Sequence, residues 1–147
     1  MAKSGIKFPS LASPNIERVL RDFLEDRAGR QAPATRRKYL SVIQVFTISM
    51  NNYAYQSLNQ AETAIFNRSY DAQGSDHREF CQIFGPEKIP ENVGEFLGYF
   101  MPRKVFAGKG LRQEARVVIR QLAMWLHEQD YIDGEPKAEM IARSKER

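Results

Sequence analysis

"TRRKYLSVIQVFTISMNNYAYQSLNQAE", residues 35–62, opens on three consecutive cations and then carries no charged side chain from Tyr39 to Ala61. Tyr39, Ile43, Phe46, Met50 and Tyr53 recur at 4-3-4-3 spacing, the periodicity of a packed helix seam. Thr35 is the expected N-cap. Val42, Val45 and Ile48 fall off that seam, so the first half of the helix is apolar over most of its circumference. Such a helix belongs in the middle of a bundle. It does not read as a membrane span. Ser41, Gln44, Ser49, Asn51, Asn52 and Gln56 would each need a partner in hydrocarbon, and a span takes about 20 predominantly apolar residues.

On the N-terminal side, "MAKSGIKFPS" mixes Gly, Pro and Lys and reads as a flexible arm over residues 1–12. Ser13-Pro14 then looks like an N-cap with proline at the first helical position. Ile16, Val19, Leu20, Phe23 and Leu24 follow at helical spacing, and Gly29 is placed to close the helix. On the C-terminal side, short helices are expected through Ala61–Phe66 and Phe80–Phe84, separated by the turn "DAQGSD". "PENVGEFLGYFM" restarts a helix that Pro102 should end. "AGKG" reads as a loop. From about Leu111 to Gln129, Leu111, Ala115, Val118, Ile119, Leu122, Trp125 and Leu126 share one sector of a helical wheel. Asp133-Gly134 should close the helical region, leaving residues 134–147 as a charged tail or the start of a linker. No strand pattern emerges, and the expected fold class is all-α, an orthogonal bundle of about five or six helices over residues 13–133.

The chain has 147 residues, enough for one domain with a sizeable core, and 42% of them are hydrophobic. No charged leader with an apolar run and a cleavage site is present, so secretion is not expected. Cys81 is the single cysteine, which rules out an intrachain disulfide and fits a reducing cytoplasm. Net charge is +4, and its distribution says more than its total. Residues 1–40 hold nine Lys/Arg against four Asp/Glu, and residues 103–127 hold six against one. Residues 41–102 hold three against seven, and residues 128–147 four against six. Folding that joined the two basic blocks would make a phosphate-attracting patch.

Catalytic chemistry finds few candidates. His77 and Cys81 stand four apart and could share a metal, but two ligands do not make a site, and His127 belongs to another element. A buried thiol and a surface imidazole explain the pair better. "GKG" at 108–110 lacks the nucleotide-binding loop pattern. What it retains is a helix start beside Lys109 and Arg112, able to seat one backbone phosphate or to serve as a plain cap. Arg36, Arg37 and Lys38 crowd the first turn of their helix, where the dipole disfavours cations. That misplacement points to an external anion, unless the three are simply solvated. Arg112, Arg116 and Arg120 form a row at i, i+4 and i+8, with His127 extending it.

"FLEDR…APATRRKYLSVIQVF", then "VGEFLGYF" and "LRQEARVVIRQLAMWLHEQDYI", resemble the SAM-like N-terminal core-binding domain of tyrosine recombinases and phage integrases. Thr35, Tyr39, Ile43 and Phe46 match its T-x-x-x-Y-x-x-x-(I/L)-x-x-F helix, and Leu122, Trp125, Leu126, Tyr131 and Ile132 look like its closing helix. The resemblance covers residues 14–132, mostly at core positions. It departs at Ala32, where a hydroxyl residue is usual, at Gly108-Lys109-Gly110, and in the long segment 59–88. No His-x-x-Arg box is present, and no strand-transfer tyrosine can be assigned. The resemblance implies a non-enzymatic module that clasps duplex DNA by its backbone through Arg36, Arg37, Lys38, Lys109, Arg112 and Arg116, to which the charge pattern adds Arg120. It implies no cofactor and no metal. The rival expectation is a helical interaction or dimerisation module with no nucleic-acid role, supported by an excess of tyrosines including Tyr53, Tyr55, Tyr70 and Tyr99.

Overall fold

A computed structural model describes residues 11–104 and 109–145, without the side chains of Lys104 and Lys109. Residues 1–10 of the arm expected over 1–12, and the first half of the "AGKG" loop, lie outside the described residues. Among those described, every regular element is helical: α1 Ile16–Ala28, α2 Pro33–Tyr53, α3 Gln60–Tyr70, α4 Phe80–Ile83, α5 Val93–Glu95, α6 Met101–Lys104, α7 Lys109–Glu128 and α8 Gly134–Lys145, with short 3-10 turns between them. The fold is all-α.

α2 is the central helix. It touches α1, α4, α7 and the segment between α5 and α6. Tyr39, Ile43, Phe46 and Met50 of its seam are buried, as is Val42. Its outer face, however, leaves Leu40 and Ile48 exposed at 45% and 50%. α2 starts earlier than expected: Ala32 is the N-cap, without a side-chain bond, and Pro33 occupies the first turn. Thr35 is therefore inside the helix. Proline there loses no hydrogen bond, because that N–H has no intrahelical partner.

α1 starts later than expected. Asn15, not Ser13, is its N-cap, and the Asn15 carboxamide oxygen accepts from the backbone N–H of Arg18 at 2.8 Å. The backbone N–H groups of Ala12 and Ile16 donate to the carbonyls of Ile83 and Phe84, at 3.0 and 2.9 Å. The open start of α1 thus satisfies the open end of α4. Gly29 does close the helix, in right-handed geometry.

Pro102 does not end its helix. Phe96–Phe100 widens into a π-turn, in which Met101 N–H reaches back to the Phe96 carbonyl, and the chain continues through Pro102 to Lys104. A proline removes the bond to the carbonyl four residues back and crowds it. That carbonyl belongs to Gly98, and the Arg103 guanidinium donates to it at 3.4 Å.

The largest departure is the tail. α7 closes at Asp130, whose positive φ of 66° lets the N–H groups of Asp130 and Tyr131 return to the carbonyls of His127 and Leu126. This is the Schellman arrangement with Asp where Gly is usual. The chain then folds back as α8 along α7, with Met140 and Ser144 buried. Residues 134–145 are part of the bundle, not a tail or linker. The bundle's other seam joins α1 to α7: Trp125 stacks edge-on against Phe23 at 5.5 Å and donates its indole N–H to Asp26 at 3.0 Å.

Candidate nucleic-acid interface

The three cations at the start of α2 go separate ways. Arg36 donates to the carbonyl oxygens of Ala28 and Gln31, at 3.0 and 3.1 Å. The Ala28 carbonyl ends α1 and the Gln31 carbonyl belongs to the turn that follows, so the guanidinium ties the α1–α2 turn to the negative end of α1. Lys38 pairs with Glu114 of α7 at 3.4 Å. Arg37 is exposed, and no acceptor among the described residues binds it. The crowding of cations at a positive helix end thus has an internal reason for two of the three.

On α7, Arg112 and Arg120 make no ion pair or hydrogen bond with any described side chain, and Arg116 donates only to the neutral Gln113, at 3.2 Å. Contrast α1, where Arg18 pairs with Asp22 and Arg21 with Glu17, and where Asp26 takes Arg30 from the turn that follows. The α7 row is free of carboxylates. It does not merge with the start of α2. Arg112 and Arg116 are each two residues from Glu114, which at about 100° per residue puts them roughly 160° around the helix from it. Lys38 therefore meets α7 on one flank and the arginine row lies on the other. The Lys109 side chain and residues 105–108 lie outside the described residues, and with them the phosphate seat expected at 108–110.

What extends the arginine row is α8. A groove of about 470 Å3 runs between α7 and α8, lined by His127 on one side and Lys137, Ile141 and Lys145 on the other, with no carboxylate in its lining. His127 is seven residues beyond Arg120 and within about 20° of it on the α7 wheel. α8 starts beside His127, with Gly134 against its ring, and Lys137 and Lys145 both face the groove at that end of the row. Sequence reasoning missed Lys137 and Lys145. Their signal, two lysines spaced for one helix face, is diluted by the acids of "DGEPKAEM" unless the tail is known to fold back.

The remaining candidates resolve otherwise. His77 precedes α4, with Nδ1 2.6 Å from the Tyr70 carbonyl and Nε2 2.8 Å from Glu79 Oε2. Cys81 is fully buried, and burial pushes its thiol well above the usual range, so it is held protonated. The two do not share a site. Among the described residues no group of three or more His, Cys, Asp or Glu side chains could hold a metal ion, and no helix is long and apolar enough to cross a membrane. Comparison with protein-family models, with curated proteins and with solved structures finds no match to the chain.

Proposed function

We propose that the protein is a non-enzymatic helical DNA-binding module, of the core-binding kind its sequence resembles, that grips the phosphate backbone of a duplex in a reducing, cytoplasmic setting. The grip is the α7 row Arg112, Arg116 and Arg120, extended by Lys137 and Lys145 of α8, with Lys109 at its leading end and Arg37 as a separate outlying contact. The observation that carries this reading is that, among the described residues, no carboxylate pairs with Arg112, Arg116 or Arg120, whereas Arg18 and Arg21 of α1 are ion-paired. An arginine fork left without an internal anion is free to take a phosphate oxygen pair. Contacts of this kind position a protein on DNA without reading bases. Arg36 and Lys38 take the lesser part, because their charge is already committed within the bundle.

The test is a salt titration of duplex binding by fluorescence anisotropy. Affinity should fall linearly on a log–log scale, with a slope of about −0.9 for each phosphate neutralised. Arg112→Glu/Arg116→Glu/Arg120→Glu should reduce that slope by about two to three. A slope near zero in the unaltered protein sinks the proposal. A second reading has one observation in its favour: the α1–α2 groove lined by Leu20, Leu24, Ile43 and Ile48 is apolar and open, with Leu40 exposed nearby on α2. A protein-interaction or dimerisation module would show a concentration-dependent mass, untouched by the arginine reversals.

A further inference from the structure

Away from the basic row, the end of α2 and the outer face of α3 enclose a cleft of about 430 Å3. Its floor is Phe66. Tyr55 and Tyr70 stack on that ring at interplanar angles of 10° and 19°, so three aromatic planes lie nearly parallel. Tyr55 and Tyr70 keep 47% and 41% of their surface exposed. Around them stand four polar side chains: Asn51 and Asn52 from α2, Asn67 from α3 and Asp71 from its cap. The Asn51 oxygen accepts from the backbone N–H of Cys81 at 2.9 Å, which leaves its amino group to donate. The side chains of Asn52, Asn67 and Asp71 have no hydrogen-bond or ionic partner among the described residues.

The chemistry of this set is selective. Asp71 and the acidic balance of residues 41–102 repel phosphate. Near-parallel rings do not form the box that surrounds a quaternary ammonium ion. Tyr70 is packed between Phe66 and His77, so the ring that offers a face to a flat, uncharged ligand is Tyr55, whose one ring contact among the described residues is Phe66. A carboxylate acceptor beside amide donors then selects the edge of that ring. Guanine alone among the bases presents two adjacent donors, N1–H and the N2 amine, to the two oxygens of one carboxylate, while its O6 and N7 accept from amide groups.

We propose that the Tyr55–Tyr70 cleft binds a guanine ring, as the free nucleoside or as an unpaired base of a strand. The proposal is independent of the phosphate grip, because a nucleoside carries no phosphate. Isothermal titration of the full chain with guanosine should show saturable binding. Inosine, which lacks the N2 amine, should bind about ten-fold more weakly, and adenosine should not saturate. Asp71→Asn and Asn67→Ala, both at exposed positions, should each weaken guanosine about ten-fold without moving the thermal midpoint. Tyr55→Ala should do so through lost stacking. A trinucleotide with a central guanine, measured in high salt to silence phosphate contacts, separates the sources: tighter binding than guanosine marks an unpaired base, and equal binding marks the nucleoside. Equal affinity for guanosine and adenosine, no saturation at millimolar guanosine, or indifference to Asp71→Asn would each overturn the assignment.

Discussion

At the scale of single residues, His77 shows how a side chain read as a bland surface imidazole can hold a turn. Both its ring nitrogens face acceptors, the Tyr70 carbonyl and the Glu79 carboxylate, and its ring packs on Tyr70 at 5.0 Å. Only the doubly protonated ring can donate to both. The Glu79 hydrogen bond, followed by that of Tyr70, raises its pKa above the ordinary 6.5. A pKa raised on folding contributes stability that is complete below 6.5 and is lost as pH rises through the folded-state value. Thermal midpoints measured from pH 5.5 upward should therefore decline across that window in the unaltered protein. In His77→Gln the decline should be smaller. An identical pH profile in both would show that the imidazole contributes nothing. His77 and Cys81 stand four apart, but α4 begins only at Phe80, so the interval does not put them on one helix face. A four-residue interval is informative only once both residues are known to be helical.

At the scale of elements, periodic burial was legible and helix ends were not. The seams of α1, α2 and α7 were read from spacing alone, because a buried stripe must repeat with the helix itself. The ends depend on competition between neighbouring caps. Asn15 displaced Ser13, and Pro33 moved Thr35 inside its helix. Pro102 failed to stop its helix because a π-turn and the Arg103 guanidinium take care of the Gly98 carbonyl. Arg36 belongs to this scale as well, since its two bonds tie the last carbonyl of α1 to the turn that follows it. Arg36→Ala should cost about 1 kcal/mol of stability in a denaturant melt, the modest figure expected for exposed charged bonds. It should leave the salt slope of DNA binding essentially unchanged. A large loss of DNA affinity with stability intact would instead return Arg36 to the interface.

At the scale of the whole molecule, the packing of α8 on α7 brings two lysines to the groove beside His127, at the end of the arginine row. Its two lysines lie about eight residues apart, on one side of α8, across a groove from His127. Lys137→Glu/Lys145→Glu should weaken duplex binding and reduce the salt slope by about two, with the fold intact because neither side chain is part of the core. An unchanged slope would confine the grip to α7. The same scale explains why the two basic blocks, each visible in the sequence, do not form one patch. Glu114 draws Lys38 to one flank of α7, while the arginine row occupies the other.

By itself the sequence determined the all-α class, the central place of α2, the buried stripes and the lack of a carboxylate facing Arg112, Arg116 and Arg120 along their own helix. These follow from periodicity and local spacing, which are properties of neighbours along the chain. Tertiary structure alone decided which cations remain available to a ligand, that the tail is a packed helix, and that Tyr55, Tyr70, Asn67 and Asp71 share one cleft. Those outcomes depend on which carbonyl, carboxylate or ring a side chain meets across helices. No helical repeat encodes that meeting, because it is set by how the helices cross and where each one ends.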